Sequence, residues 1–282
     1  MIDLHIQTLL GDGDMSIFRL LESIDEKELE YFSIVDVNHA LAYRLIDLEA
    51  YPNIIPAARF NTFFNGRMID LIGYDIDVEA INAWYEAKYP IEKIEEIEKE
   101  RTNFLRKQLF KQGYEIFVDD FRYDKLGVGA SQIIDQLNVN YPDYKYKNAR
   151  DFKNYETNNP KSDLYLEDKN IYLEIDQVIE LIRAHGGKVF LAHPFEYRMD
   201  VTELLEMFVQ KDFDGLEVFH ASASQVKSMR LLELCKMTNK LASLGSGFVG
   251  NDQHIPLGVY IDNELLKLDC FKWIFERGIA ND

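Results

Sequence analysis

Asp3-Leu4-His5-Ile6-Gln7-Thr8, with Gly11-Asp12-Gly13 close behind it, is the stretch whose reading decides the fold. It reads as a first strand and its turn, carrying His5 and then Asp12 to the strand's carboxyl end. That end is where α/β barrels keep their chemistry, and imidazole and carboxylate are both metal ligands.

Working outward, Asp14 or Ser16 caps an expected helix to about residue 30, with Ile17, Leu20, Leu21 and Ile24 on one face. A second buried strand is expected over residues 32–35 and a helix over 39–50. Two further strands, 54–55 and 68–74, come with Asn65-Gly66 as a turn between them. Near Pro90 the rhythm changes to a long, charged amphipathic helix ending at Gln112-Gly113, then shorter helices over 130–137 and 149–155 in tyrosine-rich surroundings. Tyr141, Tyr144, Tyr146, Tyr155 and Tyr165 could line a cavity or an oligomer contact. Alternation resumes with a helix over 176–184 and strands over 188–192, 215–219, 241–244 and 257–261. Helices over 222–237 and 265–277 complete it, so about seven strands are expected.

The chain has 282 residues, 47% of them hydrophobic, which suffices for one barrel with an insertion. Its formal charge, 31 minus 49 or −18, repels polyphosphate backbones and argues against nucleic-acid polymers as partners. Cys235 and Cys270 sit far apart in apolar helical patterns, as expected of two reduced core thiols. No basic leader and no long apolar run is evident, so a soluble cytoplasmic protein without membrane contact is expected. Neither Gly11-Asp12-Gly13 nor Gly127-Val128-Gly129 has dinucleotide-loop spacing.

Further pieces recur downstream: Ile34-Val35-Asp36-Val37-Asn38, Ile55-Pro56-Ala57-Ala58-Arg59, Asp70-Leu71-Ile72-Gly73-Tyr74, Leu191-Ala192-His193-Pro194 and Gly245-Ser246-Gly247-Phe248-Val249-Gly250. In order and spacing, over nearly the whole chain, these resemble the motifs of the PHP family (polymerase and histidinol phosphatase). The likeness is greatest to its small phosphoesterases that cleave nucleoside monophosphates and bisphosphates. The resemblance implies a PHP-type distorted (β/α)7 TIM-like barrel built by residues 1–77 and 171–282. Residues 78–170 would be a helical insertion lying over its mouth as a lid.

It also implies a cup of divalent metals that activates water and stabilises charge on phosphate. Here the chain departs from the family. The second histidine of Asp-x-His-x-His is Gln7, the histidine of Thr-Asp-His is Val37, and the glutamate of Pro-Gly-x-Glu is Arg59. Aligned without gaps, the aspartate and histidine of Gly-Ser-Asp-Phe-His-Gly are Gly247 and Val249. A displaced register would use Asp252 and His254 instead. Where the family carries Gly-Arg-Pro-His, this chain reads Gly127-Val128-Gly129-Ala130. A cation among metals costs Coulomb energy, about 4 kcal/mol for unit charges 4 Å apart at an effective dielectric of 20.

His5, Asp12 and His193 therefore remain as candidate ligands for a single manganese, zinc or magnesium ion, or for none, with Asp70 as a substitute. A full trinuclear cluster is not expected. Alternatively, His5 and His193 are buried histidines satisfied by carboxylates, with Arg59 neutralising Asp12, Asp70 or Asp36. Arg59, Gln7, Asp36, Asp70, Glu217 and His220 are the candidate pocket for a small phosphorylated or anionic ligand. The leading expectation is a phosphoesterase relative with a degenerate metal centre and weak or no hydrolase activity. The alternatives are an active phosphoesterase with a reduced metal site and a non-catalytic scaffold.

Overall fold

β1 (Ile2–Ile6) is buried at every position and runs parallel to β2 (Tyr31–Ile34), with Ile2 opposite Tyr31 and Asp3 opposite Phe32. The helix between them, α1 (Ile17–Glu26), turns Ile17, Leu20 and Ile24 into the core. The structure is a computed structural model and describes residues 1–197, 199–250 and 255–276.

Where a helix was expected over 39–50, only a 3-10 turn forms, Leu41–Leu45. The buried Tyr43 hydroxyl explains the difference. It accepts from the amides of Ile34 and Ala57, each at 3.0 Å, and lies 2.9 and 3.0 Å from the carbonyls of Ile34 and Ile55. Those bonds pin Tyr43 across the strands, and the turn ends at Ile46, whose backbone is extended. β3 (Ala57–Phe64) and β4 (Arg67–Tyr74) make a hairpin through Asn65 and Gly66, whose φ values of 50° and 75° suit a two-residue turn. The expected strand at 54–55 is one bridge, Ile54 to Phe32; the regular strand lies just beyond it.

Next come α2 (Val78–Lys88), α3 (Ile91–Lys111), α4 (Val128–Asn140), α5 (Ala149–Phe152) and α6 (Ile175–Ala184). β5 (Lys188–Leu191) pairs antiparallel with β4, Leu71 opposite Leu191. β6 (Gly215–His220) and β7 (Leu241–Gly245) follow in parallel, reached through α7 (Val201–Gln210) and α8 (Gln225–Thr238). The sequence had not suggested α7, whose first turn is capped by Asp200 accepting from the Glu203 amide at 2.8 Å.

The described strands form a five-stranded sheet, β3-β4-β5-β6-β7, and a two-stranded sheet, β1-β2. This is a mixed α/β fold, and the described strands do not pair into one closed barrel. Two features oppose the expected repetition of β/α units: the β3–β4 hairpin, and β4 running antiparallel to β5. Isolated bridges nonetheless join the edges, Ile6 to Phe248 and Val37 to Arg59. The expected strand over 257–261 is likewise a single bridge, Val259 to Ile2, because Gly258 turns at φ +93° and gives its amide to Asp3. The expected closing helix is broken into α9 (Asn263–Leu266) and a 3-10 turn, Asp269–Ile274, by extended Leu268; residue 277 lies outside the described residues.

The chain divides into two compact units. One comprises Met1–Phe64, Ile69–Trp84 and Leu173–Asp282, the other Asn65–Met68 and Tyr85–Tyr172. The second has its own core, with Leu105, Leu109, Ile133, Leu137, Tyr144 and Phe152 within it and Tyr141 and Tyr146 against it. There the buried Glu98 carboxylate accepts from the amides of Gly127 and Gly129, each at 2.9 Å, which satisfies the start of α4. A Cβ on Gly129 would stand 2.0 Å from Thr102 Oγ1, so this glycine lets α3 and α4 touch. Cys235 and Cys270 are buried free thiols. Among the described residues, no helix is long and apolar enough to cross a membrane.

Candidate functional site

The chain leaves β1 through a tight turn that sets the place of Asp12. The amides of Gly11 and Gly13 both donate to the Thr8 carbonyl, at 3.0 and 2.9 Å. Thr8 in turn gives its amide and hydroxyl to the Asp36 carboxylate, at 2.7 and 2.6 Å. Asp36, expected in an anion pocket, is thus buried as the brace of this turn, with both carboxylate oxygens engaged by Thr8.

Arg59 is placed by its own backbone. Its amide donates to the Asp36 carbonyl at 3.1 Å and its carbonyl accepts from Asn38 at 2.6 Å, beside the bridge to Val37. The guanidinium then reaches three partners. Nη2 donates to Asp12 Oδ2 at 2.8 Å and Gln7 Oε1 at 3.2 Å, and Nη1 to Asp70 Oδ2 at 3.3 Å. Burial works against the charge on Arg59, but Asp70 and Asp12 outweigh it and raise its pKa. Burial would likewise raise Asp70, yet the Arg59 guanidinium holds it below the ordinary carboxylate range. Arg59 and Asp70 are therefore both charged at neutral pH.

Asp70 Oδ2 also lies 3.3 Å from His193 Nε2. Burial alone would lower the His193 pKa; Glu196 and Asp70 outweigh it and raise it. The Tyr197 hydroxyl ties this corner together, donating to the Ala192 carbonyl at 2.7 Å and accepting from the Asp70 amide at 3.0 Å.

Three histidines meet on the other side of His193. The ring centroids of His5, His193 and His220 stand 5.3 to 5.5 Å apart in a triangle. Glu217 serves two of them: Oε1 lies 2.9 Å from His5 Nδ1, and Oε2 accepts the His193 amide at 2.7 Å. His220 Nδ1 is 2.7 Å from Ser222 Oγ, while its Nε2 is buried with no hydrogen-bond partner. Burial pushes the His220 pKa down to about 3, so the ring is neutral, and burial raises the Glu217 pKa.

The residues expected to hold a metal, His5, Asp12 and His193, go to three different partners: Glu217, Arg59 and Asp70. Among the described residues, the group with metal-ligand spacing is His5, Glu217 and His220, whose ligand-capable atoms lie within 4.8 Å of one another. Glu217 and His220, expected in the anion pocket with Arg59, are both buried beside His5. A register shift between Glu217 and Phe219 breaks the two-residue alternation, so both side chains turn inward. Glu196 and Ser222, which flank His220, were not anticipated. The last motif lies against β1: Ser246 donates its amide and hydroxyl to Asp3, and Gly247 its amide to the His5 carbonyl. Asp252 and His254, the displaced-register candidates, lie outside the described residues.

No protein-family model matches the chain, and no curated protein matches it. Solved structures do. A presumed metal-dependent phosphoesterase from Bifidobacterium adolescentis is 21% identical, with a TM-score of 0.72 over 99% of this chain and 96% of that one. An amidohydrolase from Chromobacterium violaceum, solved with sulfate bound and no metal, is 17% identical, with a TM-score of 0.73 over 90% of this chain and 89% of that one. The chain therefore has the fold of these bacterial phosphoesterase-like and amidohydrolase proteins, in keeping with the PHP resemblance of its motifs.

Proposed function

We propose that this chain is a relative of the metal-dependent phosphoesterases in which an arginine-centred ion network stands in place of the metal cluster. It would bind a small phosphorylated or other anionic ligand with weak or no hydrolysis. The observation that carries this reading is Arg59, forked between Asp70 on one nitrogen and Asp12 with Gln7 on the other.

The donor set argues against a multinuclear cluster. Lone pairs on Asp12, Asp70 and Gln7 are already turned toward a permanent cation, and Val37 and Gly247 offer no ligand atom. A reduced site on His5, Asp12 and His193, the active-enzyme alternative, would have to take Asp12 from Arg59 and His193 from Asp70. Asp12 is the exposed member of the network, its side chain 33% accessible against 12% for Asp70. An oxyanion arriving from solvent would thus take over Arg59 Nη2 by displacing Asp12. Phosphate oxygens match the guanidinium fork as a carboxylate does.

The test pairs a melting scan with a phosphate-release assay, using phosphate, sulfate and adenosine monophosphate as probes and manganese as the metal. The expected outcome is a rise in Tm with an anion in the wild type, abolished in R59M, and no metal-dependent phosphate release. Manganese-dependent turnover of the monophosphate would contradict the proposal.

A further inference from the structure

We propose that His5, Glu217 and His220 form a site for a single divalent cation of borderline softness, zinc or cobalt, separate from the Arg59 network. All three are buried, and their ligand-capable atoms come within 4.8 Å of one another. Two imidazoles with one carboxylate are a donor set that suits zinc and leaves a fourth position open.

Two observations independent of that grouping point to a ligand. The first is His220 Nε2, a buried atom with no hydrogen-bond partner in a side chain held at Nδ1 by Ser222 at 2.7 Å. A metal-binding imidazole is commonly fixed through its second nitrogen in this way, which aims the first at the ion. The second is Gly247, at φ +70°, where a Cβ would stand 2.5 Å from that same Nε2. A residue without a side chain at this position keeps the approach to the nitrogen clear. Glu217 is oriented as well, because the His193 amide fixes Oε2 at 2.7 Å and holds the carboxylate beside His5. Loading would gather these ligand-capable atoms, already within 4.8 Å of one another, around one ion. The inference does not require the chain to be inactive, since none of these three groups bonds Arg59 through its side chain.

The experiment is a cobalt titration of the full chain after metal removal, followed by visible absorption and elemental mass spectrometry. The expected result is one cobalt per chain, with the intense bands of tetrahedral ligation, displaced by zinc. Affinity falls about 100-fold or more in H220N, which removes a ligand, and in G247A, which keeps every ligand and blocks the approach. Should either variant fail to fold by circular dichroism, the other and the wild-type spectrum decide. No cobalt in the wild type, or undiminished affinity in both folded variants, overturns the proposal and leaves the Arg59 reading standing. Two or three ions per chain overturn both.

Discussion

Arg59, Asp12 and Asp70 are stable in their places only as a set, because each partner compensates the desolvation of another. R59M keeps much of the side-chain volume but leaves Asp70 buried opposite Asp12 with no guanidinium between them. We expect a loss of about 3–5 kcal/mol in urea denaturation, most of it recovered in R59M/D70N, where the buried charge is gone as well. A loss under about 1 kcal/mol would mean that the network is worth no more than a surface pair. Gly247 is constrained in a second way. Placing an aspartate there, where the PHP motif it resembles has one, would drive a Cβ to 2.5 Å from His220 Nε2 at a backbone angle few side chains adopt. G247D should therefore destabilise by about 1–3 kcal/mol and restore no hydrolysis. In an H220A background the steric part of that cost should vanish and only the backbone part remain, so a thermodynamic cycle measures the contact.

At the scale of elements, the strongest local signals in the sequence survived and the weaker ones did not. Asn65-Gly66 marks its turn because few other pairs take two left-handed conformations in a row, and the hairpin forms there. The helix from Ile91 was legible because its apolar spacing persists over 21 residues. The helix expected over 39–50 failed because the anchoring of Tyr43 is a tertiary fact that no local pattern carries. The burial of Glu217 and His220 was hidden for a similar reason: an irregularity in β6 re-aims side chains, and spacing alone cannot locate it. Gly127-Val128-Gly129 lacks dinucleotide-loop spacing and carries no phosphate-binding signal in the sequence, yet Gly129 sets the contact of α3 with α4. G129A should cost about 2 kcal/mol or more in the second unit, and T102A should relieve much of it. Equal stability of G129A and wild type in guanidinium melts would refute that account.

For the whole molecule, motif order was enough to anticipate a mixed α/β fold, which solved structures at 21% and 17% identity share, but not the two separate sheets into which the described strands pair. The pairing of strands into two sheets was less legible, since it depends on bridges made outside regular strands. Asp3 illustrates how a motif residue can serve the fold. Its carboxylate receives the amides of His5, Ser246 and Gly258 and the Ser246 hydroxyl, joining the first strand to the last segments of the chain. Burial nevertheless pushes its pKa from 3.8 up to about 6. Because the folded value is the higher one, the stability that Asp3 adds is complete below pH 3.8 and is lost as pH rises through about 6. The contribution is about 3 kcal/mol, and D3N should remove this slope from a series of urea midpoints between pH 4 and 7. Asp70, with its lowered pKa, works in the opposite sense: its contribution is present at neutral pH and lost on acidification. D70N should flatten the acid limb while leaving the Asp3 slope in place.

The most direct measurement of the central claim is anomalous diffraction from crystals of the full chain grown with manganese and no chelator. The expected map has continuous guanidinium density between Asp12 and Asp70, with no anomalous peak within bonding distance of those two carboxylates. Two or more peaks among His5, Asp12, Asp70 and His193, with Arg59 turned away, would contradict the account and restore a metal-dependent phosphoesterase.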